Sequence, residues 1–555
     1  MQLAAVGPPP GVPAYSLGRS SSLMAIASLA SRVTGFLRQI ALVAVLGFGL
    51  VNSSYTVANT LPNIVYELLL GGVLTSVMIP LLVRAQTEDA DGGEVYTRRL
   101  ITLAAAGLTA ATAVAMLAAP LLTRLYLGTQ TSTGATSELA TAFAYLLLPQ
   151  IVFYGLGALL GAILNSRGVF GPFAWAPVLN NVVVLGVLGV YVLVPGPISL
   201  DPVRMGDTKL LVLGLGTTLG IVVQAAVLLP AMRRIGFRYR PTWGWDPRLT
   251  AAGGLAVWVV AYVLIGQVGY AVTNRVAFDA DPAGPAIYAN AWLLLQVPYG
   301  ILGVSLLTAL MPRMSRAAAQ GRSADVVADL SLGTRLSALV LVPVSVLLTL
   351  FGTEVGLALF GWRDGNVEGA ARLGTALAFS AFGLLPFAVM MLQLRVFYAL
   401  TDSRTPTVIQ LTVVAVKVPL LLACPLVLPP EQVVVGLMAV NSASFVFGAV
   451  LGQVLVRRRL GPLRTGTVLG SVARTVAGSV AGGLAALAVL TPLAPVVDGW
   501  PIAAAAWTVL GLAVLVAAPV TLGALRLLRS AELESLRSRI RGLARRAGAG
   551  RGRSR

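Results

Sequence analysis

Apolar runs of roughly 20 residues, the length at which a helix crosses a hydrocarbon core, recur from near residue 21 to near residue 527, separated by short polar or Gly/Pro-containing breaks. The pattern predicts about fourteen helical spans. The first falls near 21–50, the second near 55–83 and the last near 501–527. Cations collect in alternate breaks: Arg84, Arg98 and Arg99; Arg167; Arg233, Arg234, Arg238, Arg240 and Arg248; Arg313, Arg316 and Arg322; Arg404; then Arg457, Arg458, Arg459 and Arg464. The intervening breaks hold Asp201, Asp207, Asp279, Asp281, Glu368 and Asp498. Positive charge marks the cytoplasmic side, so both termini are expected there.

Composition agrees with the pattern. Hydrophobic residues make up 57% of the chain and charged residues 11%, against about 25% charged in soluble domains, and the mean hydropathy is +0.85. The fold class is therefore an all-α polytopic membrane protein. The net charge of +19 is spread over loops and tail, where it orients the chain, so no nucleic-acid partner is expected. The absence of histidine excludes His-based metal sites and Ser/Cys-His catalysis. Cys424, the single cysteine, can form no intrachain disulfide. With no Walker A loop and no outer cluster of acids, we expect a transporter with no cofactor or metal, and not an enzyme. The stretch MQLAAVGPPPGVPAYSLGRS reads as a disordered cytoplasmic tail over 1–20 and not as a signal peptide.

A repeat is hidden in the spans. GGVLTSVMIPLLVRA (71–85) parallels GVSLLTALMPRMSRA (303–317), placing Pro80 on Pro312 and Arg84 on Arg316. LLPQ around Pro149, followed by NSR at Arg167, parallels LLPF around Pro386, followed by DSR at Arg404. Spans one to six are thus expected to repeat, in the same membrane orientation, as seven to twelve. The expected organisation is a six-helix lobe over 21–240, a second over 241–460, an appended helix pair over 461–528 and a basic tail over 529–555. A substrate site is expected near mid-membrane, where such lobes face each other.

Two arginines lie in the first span, in SRVTGFLRQI (31–40). About a dozen apolar residues between Gln39 and Asn52 give only about 18 Å of helix. A core of about 30 Å needs more, so the span must contain Arg32 and Arg38. Intramembrane arginines are costly and usually face a cavity or a partner; snorkelling of their heads to the interface is the alternative. Arg275, Arg395 and Lys417 are further candidates for a cationic cavity, with the flank reading open for the first two. Glu67 is the clearest acid within a span and a candidate counter-ion. The amides Asn59, Asn63, Asn180, Asn181, Asn290, Gln296, Gln393 and Asn441 add hydrogen-bonding capacity, and Pro62, Pro80, Pro298 and Pro386 are candidate hinges. A cationic cavity with few counter-ions suits an anionic ligand, and phosphate matches arginine forks.

SRVTGFLRQ (31–39), ANTLPNIVYELLLGGVLTSVMIPLLVRA (58–85) and LRVFYALTDSRTP (394–406) together resemble the MurJ/MviN family of lipid II flippases, over about residues 20–527. The resemblance implies a multidrug/oligosaccharidyl-lipid/polysaccharide exporter fold of two six-helix lobes plus a C-terminal pair. It implies movement of undecaprenyl-pyrophosphate-linked disaccharide-pentapeptide to the outer leaflet for peptidoglycan synthesis. By the same resemblance Arg32 and Arg38 bind the pyrophosphate, Asn63 is the asparagine of the LPN motif, and the prenyl tail lies beside the last two spans. The chain departs from the Gram-negative pattern at Gln39, Ser53, Thr60, Tyr66 and Glu67, and its composition is similar to that of actinobacterial members. Some relatives hold sodium with acids in the C-terminal lobe, where this chain has Lys417, so coupling to the membrane potential or to a monovalent cation stays open. Alternatives are a flippase for another polyprenyl-linked glycan, a cation-coupled exporter, or a scaffold for cell-wall enzymes. The basic tail is expected to meet anionic lipid, and cell-wall synthesis proteins are candidate partners.

Overall fold

The computed structural model describes residues 14–68, 78–127, 135–200, 203–497, 499–530 and 532–533. The first thirteen residues, most of the basic tail, the 71–77 half of the first repeat motif, Asp201 and Asp498 lie outside them. Among the described residues the chain is helical, with no strand. The helices of the first half are α1 (Ala14–Leu46), α2 (Leu50–Leu68), α3 (Ile79–Glu88), α4 (Glu94–Leu117), α5 (Ala119–Leu127), α6 (Ala135–Leu147), α7 (Gln150–Ser166), α8 (Gly171–Leu193), α9 (Thr208–Ala226) and α10 (Leu228–Arg234). The second half contains α11 (Pro247–Ala280), α12 (Gly284–Ala319), α13 (Ser323–Phe360), α14 (Val367–Ser380), α15 (Leu384–Ala399), α16 (Arg404–Val427), α17 (Pro430–Leu460), α18 (Thr465–Leu490), α19 (Ala494–Val497) and α20 (Ile502–Leu527). Eleven segments among the described residues are long and apolar enough to cross a membrane.

The chain forms two compact units, divided between Val263 and Leu264 within α11, with Gly47–Gly49 counted in the second. In the first unit α1 packs on α8, α8 on α9, α7 on α4 and α9, and α2 on α6 and α7. In the second, α16 packs on α17, α15 on α13 and α17, and α12 on α14 and α15. Apart from α1 on α8, each contact of one set has its counterpart in the other, shifted by six spans. That is the pattern expected of a parallel repeat. The last pair, α18 and α20, packs together and against α13 of the second unit.

Of the candidate hinges, Pro80 opens α3 and Pro386 stands in the first turn of α15, directly after a break, while the other two lie in continuous helices. α2 runs through Pro62 and α12 through Pro298 and Pro312 without interruption. The fourth span is broken at Leu148–Pro149 between α6 and α7, and its repeat by a 3-10 turn at Ala381–Gly383 between α14 and α15. Membrane helices tolerate proline where neighbours satisfy the freed carbonyl. At the second break the Ser345 hydroxyl donates to Ala381 O and the Ser442 hydroxyl to Ser380 O (2.6 Å). α13 has one non-helical residue, Phe351, directly before Gly352. Gly352 and Gly356 form a G-x-x-x-G face on which α14 lies backbone to backbone. A Cβ at Gly356 would stand 2.1 Å from Ala370 O, and one at Gly374 would stand 2.4 Å from Gly352 O. Small residues at this spacing allow such close approach.

Candidate functional site

α1 is fixed to α8 by one amide. Asn181 Nδ2 donates to Ser31 O (3.2 Å) and to Thr34 Oγ1 (3.0 Å), beside Gly35. This turns Ala27, Ser31 and Thr34 inward and leaves Arg32 exposed, with Val33 and Leu37. Arg38, one turn beyond Thr34, is half-buried. It lies close enough to the buried Tyr55 hydroxyl to act on it electrostatically. Tyr55 is itself held by Thr217 on α9 (3.0 Å). Among the described residues, the ion pairs of this unit are Arg84–Glu88, Arg98–Glu94 and Arg248 with Asp89 and Asp246. Among the described residues, Arg32 and Arg38 have no carboxylate partner.

A polar run at the start of α2 escaped the sequence reading. Asn52, Ser53 and Ser54 are fully buried, and the hydroxyls of Ser53 and Ser54 and Oδ1 of Asn59 have no hydrogen-bond partner among the described residues. Buried polar atoms are rarely left so, and these flank Tyr55, near Arg38. The signal was NSSYT (52–56), a polar pentamer at the start of an apolar span. Asn63 is half-buried on the same helix, and Glu67, one turn further, is exposed.

The candidate cations of the second unit have different surroundings. Arg275, in the last turns of α11, lies 3.9 Å from Asp279, the arrangement of a flanking residue. Arg395 is exposed on α15, its guanidinium 5.9 Å from the Tyr398 ring centroid. Lys417, midway along α16, donates to Asn441 Oδ1 of α17 at 2.6 Å. Two of the other amides bond to backbone, one between helices and one within its own helix. Gln393 Nε2 donates to Ala449 O (3.0 Å) and Gln453 Oε1 (3.2 Å), and Asn290 Nδ2 donates to Ala286 O (2.8 Å). No group of three Asp, Glu or Cys able to hold a metal occurs among the described residues.

An apolar groove runs along α18. Its upper part, about 380 Å³, is lined from α13, α15, α17 and α18 and ends at Arg464 and Thr465. A second cavity of about 480 Å³ continues it and shares Leu385 and Pro386. Val468, Val472, Val476, Val480 and Leu484 line the two in turn. A side chain at every fourth position makes one stripe, about 24 Å long at 1.5 Å per residue.

The family model described as "Lipid II flippase MurJ" matches residues 42–496. A probable lipid II flippase MurJ of Vibrio cholerae serotype O1 is 26% identical over 405 residues, 70% of this chain and 74% of its own length. A lipid II flippase MurJ solved in an inward closed conformation superposes with a TM-score of 0.70 at 15% identity, covering 90% of this chain and 98% of that one. An inward-facing MATE family transporter of the MOP superfamily superposes with a TM-score of 0.56 at 15% identity, covering 79% and 94%. At these identities the two structures speak for the fold, which is the exporter fold implied by the resemblance.

Proposed function

We propose, for a chain that belongs to the lipid II flippase MurJ family, that it carries lipid II from the inner to the outer leaflet of the cytoplasmic membrane, both of its ends lying in the cytoplasm. It is an integral membrane transporter and not an enzyme. The observation that carries the assignment of the binding residues is the pair Arg32 and Arg38, cations of one span without a carboxylate among the described residues. A pyrophosphate supplies the missing negative charge, and guanidinium forks bind its oxygens in charge-assisted hydrogen bonds. Ser53, Ser54 and Asn59 are further polar side chains on α2, the helix whose Tyr55 hydroxyl feels the charge of Arg38. The Val468–Leu484 stripe suits a flexible prenyl chain, because it is long, apolar and closed at one end by Arg464.

The cycle we propose is alternating access: the cations take the headgroup on the inner side and release it on the outer side. An inside-negative potential then favours return of the unoccupied cations, by about 2.3 kcal/mol per charge per 100 mV. Whether Arg275, Arg395 and Lys417 share in headgroup binding is part of the same proposal; the Arg275–Asp279 and Lys417–Asn441 contacts make Arg395 the freest of the three.

The test is depletion in the host, with lipid II exposure on the outer leaflet measured after complementation. Wild type should restore exposure, while Arg32→Ala and Arg38→Ala should leave it at least tenfold lower. Full restoration by either variant would overturn the assignment of that arginine. A chain truncated after residue 533 should also restore exposure if the protein is a transporter, and should fail if it is a scaffold working through its tail. The cut must spare Glu532, which is buried and accepts from Arg335 Nη1 at 2.8 Å.

A further inference from the structure

The first unit has a cationic groove whose lining residues lie far along the chain from Arg32 and Arg38. It occupies about 820 Å³ beside the arginine-rich end of the unit, and its floor is Ile101, Leu159, Leu160, Met232 and Phe237, from α4, α7, α10 and the segment after α10. Leu229, about half exposed, opens one side, and Arg233, Arg238 and Tyr239 form the rim.

The rim is built and not a loose loop. Arg98 Nε donates to Arg238 O (3.0 Å), Thr242 N donates to Thr102 Oγ1 (3.1 Å), and the Tyr239 hydroxyl meets the same oxygen at 3.1 Å. Just beyond, Arg248 is clamped between Asp246 and Asp89. The nearby acids are thereby used: Glu94 pairs with Arg98, and Asp89 and Asp246 pair with Arg248. Arg233 and Arg238 stay exposed with no carboxylate among the described residues. In the same segment Trp243 and Trp245 are about two-thirds exposed. Exposed tryptophans beside arginines are the residues that sit at headgroup level in membrane proteins.

We propose that this groove is a binding site for an anionic glycerophospholipid, its phosphate held by Arg233 and Arg238 and one acyl chain lying on the Ile101–Phe237 floor. Charge complementarity selects the ligand. Basic pockets between membrane helices take anionic headgroups, whereas a choline headgroup would bring its own cation against the two guanidiniums. The apolar floor explains why a lipid and not a free phosphate fits. The site is independent of the headgroup assignment made for Arg32 and Arg38.

Native mass spectrometry of the full chain in detergent, titrated with phosphatidylglycerol and phosphatidylcholine of identical acyl chains, tests the site. Wild type should retain phosphatidylglycerol in preference to phosphatidylcholine. An arginine near the headgroups is worth about fivefold in affinity, so Arg233→Gln with Arg238→Gln should weaken phosphatidylglycerol about 25-fold and leave phosphatidylcholine unchanged. Arg457→Gln with Arg458→Gln, an equal change of charge in the other unit, should leave both lipids unchanged. Ala105→Trp, which fills the groove, should weaken both. Equal loss from the control pair, unchanged binding in Ala105→Trp, or displacement of the lipid by glycerol phosphate at comparable concentration would each overturn the proposal.

Discussion

The crossing of a fifth span on a sixth occurs twice in this molecule, as α8 on α9 and as α16 on α17, with different chemistry at its centre. The register that sets Pro149 on Pro386 and Arg167 on Arg404 also sets Asn180 on Lys417 and Gln150 on Phe387. In the first unit Asn180 lies over Gly220, its Oδ1 without a hydrogen-bond partner among the described residues, and Gln150 Nε2 donates to Thr218 Oγ1 at 3.1 Å. In the second, Lys417 donates to Asn441, and Phe387 joins Trp292, Tyr299 and Phe445 with ring centroids 4.7–5.6 Å apart. The backbone arrangement is repeated while the contacts that hold it have diverged. One unit is joined by neutral amides and hydroxyls, the other by aromatic packing and a half-buried cation.

The largest expected effect separates these two kinds of joint. Phe445→Ala should destabilise the second unit by about 3–5 kcal/mol, and Gln150→Ala the first by only about 1 kcal/mol, the scale of hydrogen bonds inside membranes. Thermal unfolding in detergent measures both, and equal losses would break the comparison. Asn441→Ala strands the Lys417 ammonium and should cost up to about 3 kcal/mol, as expected for a lost bond to a charged group. Asn180→Ala removes a buried amide whose oxygen makes no hydrogen bond among the described residues, and should lie within about 1 kcal/mol of wild type.

The smallest effect is expected outside the membrane. Carboxyls held below their ordinary values occur in both units, among them Asp246, chiefly by the hydrogen bond from Arg248, and Glu532, where burial pushes upward but is outweighed by hydrogen bonds from its own backbone, Arg335, Ser471 and Ser530. The ionised form is the one the fold favours in both cases. Their contributions are complete above the ordinary values of 4.5 for Glu532 and 3.8 for Asp246, and are lost as pH falls below them. On acidification, hydrogen exchange should rise around Glu532 before it rises around Asp246. Arg335→Met should remove the Glu532 step, and the reverse order would argue against this pairing of causes.

Much of the architecture was legible in the chain because apolar length and loop charge are properties of whole segments. The repeat was legible from Pro149 and Arg167 against Pro386 and Arg404. Which prolines mark helix breaks was not: Pro149 and Pro386 stand at breaks, whereas Pro62 and Pro298 lie in continuous membrane helices, and only the neighbours decide. Arg32 and Arg38 could be singled out, since an arginine in a span is conspicuous against its surroundings. Ser53 and Ser54 could not, because a serine in a span is ordinary and its lack of a partner is a tertiary fact. Glu532 reads as part of a basic tail until Arg335, nearly two hundred residues away, is seen to hold it.

The glycine face of α13 has a consequence in the realm of inheritance. Alanine is a single base change away from any glycine codon, yet at Gly352, Gly356 and Gly374 even a methyl group would strike backbone or backbone-linked atoms of the facing helix. Gly107, Gly186 and Gly189 face open space. In a randomly mutated population kept under selection for growth, the first three codons should stay nearly fixed while the other three drift toward alanine and serine, so that the seam between α13 and α14 is written in which glycines a lineage is able to lose.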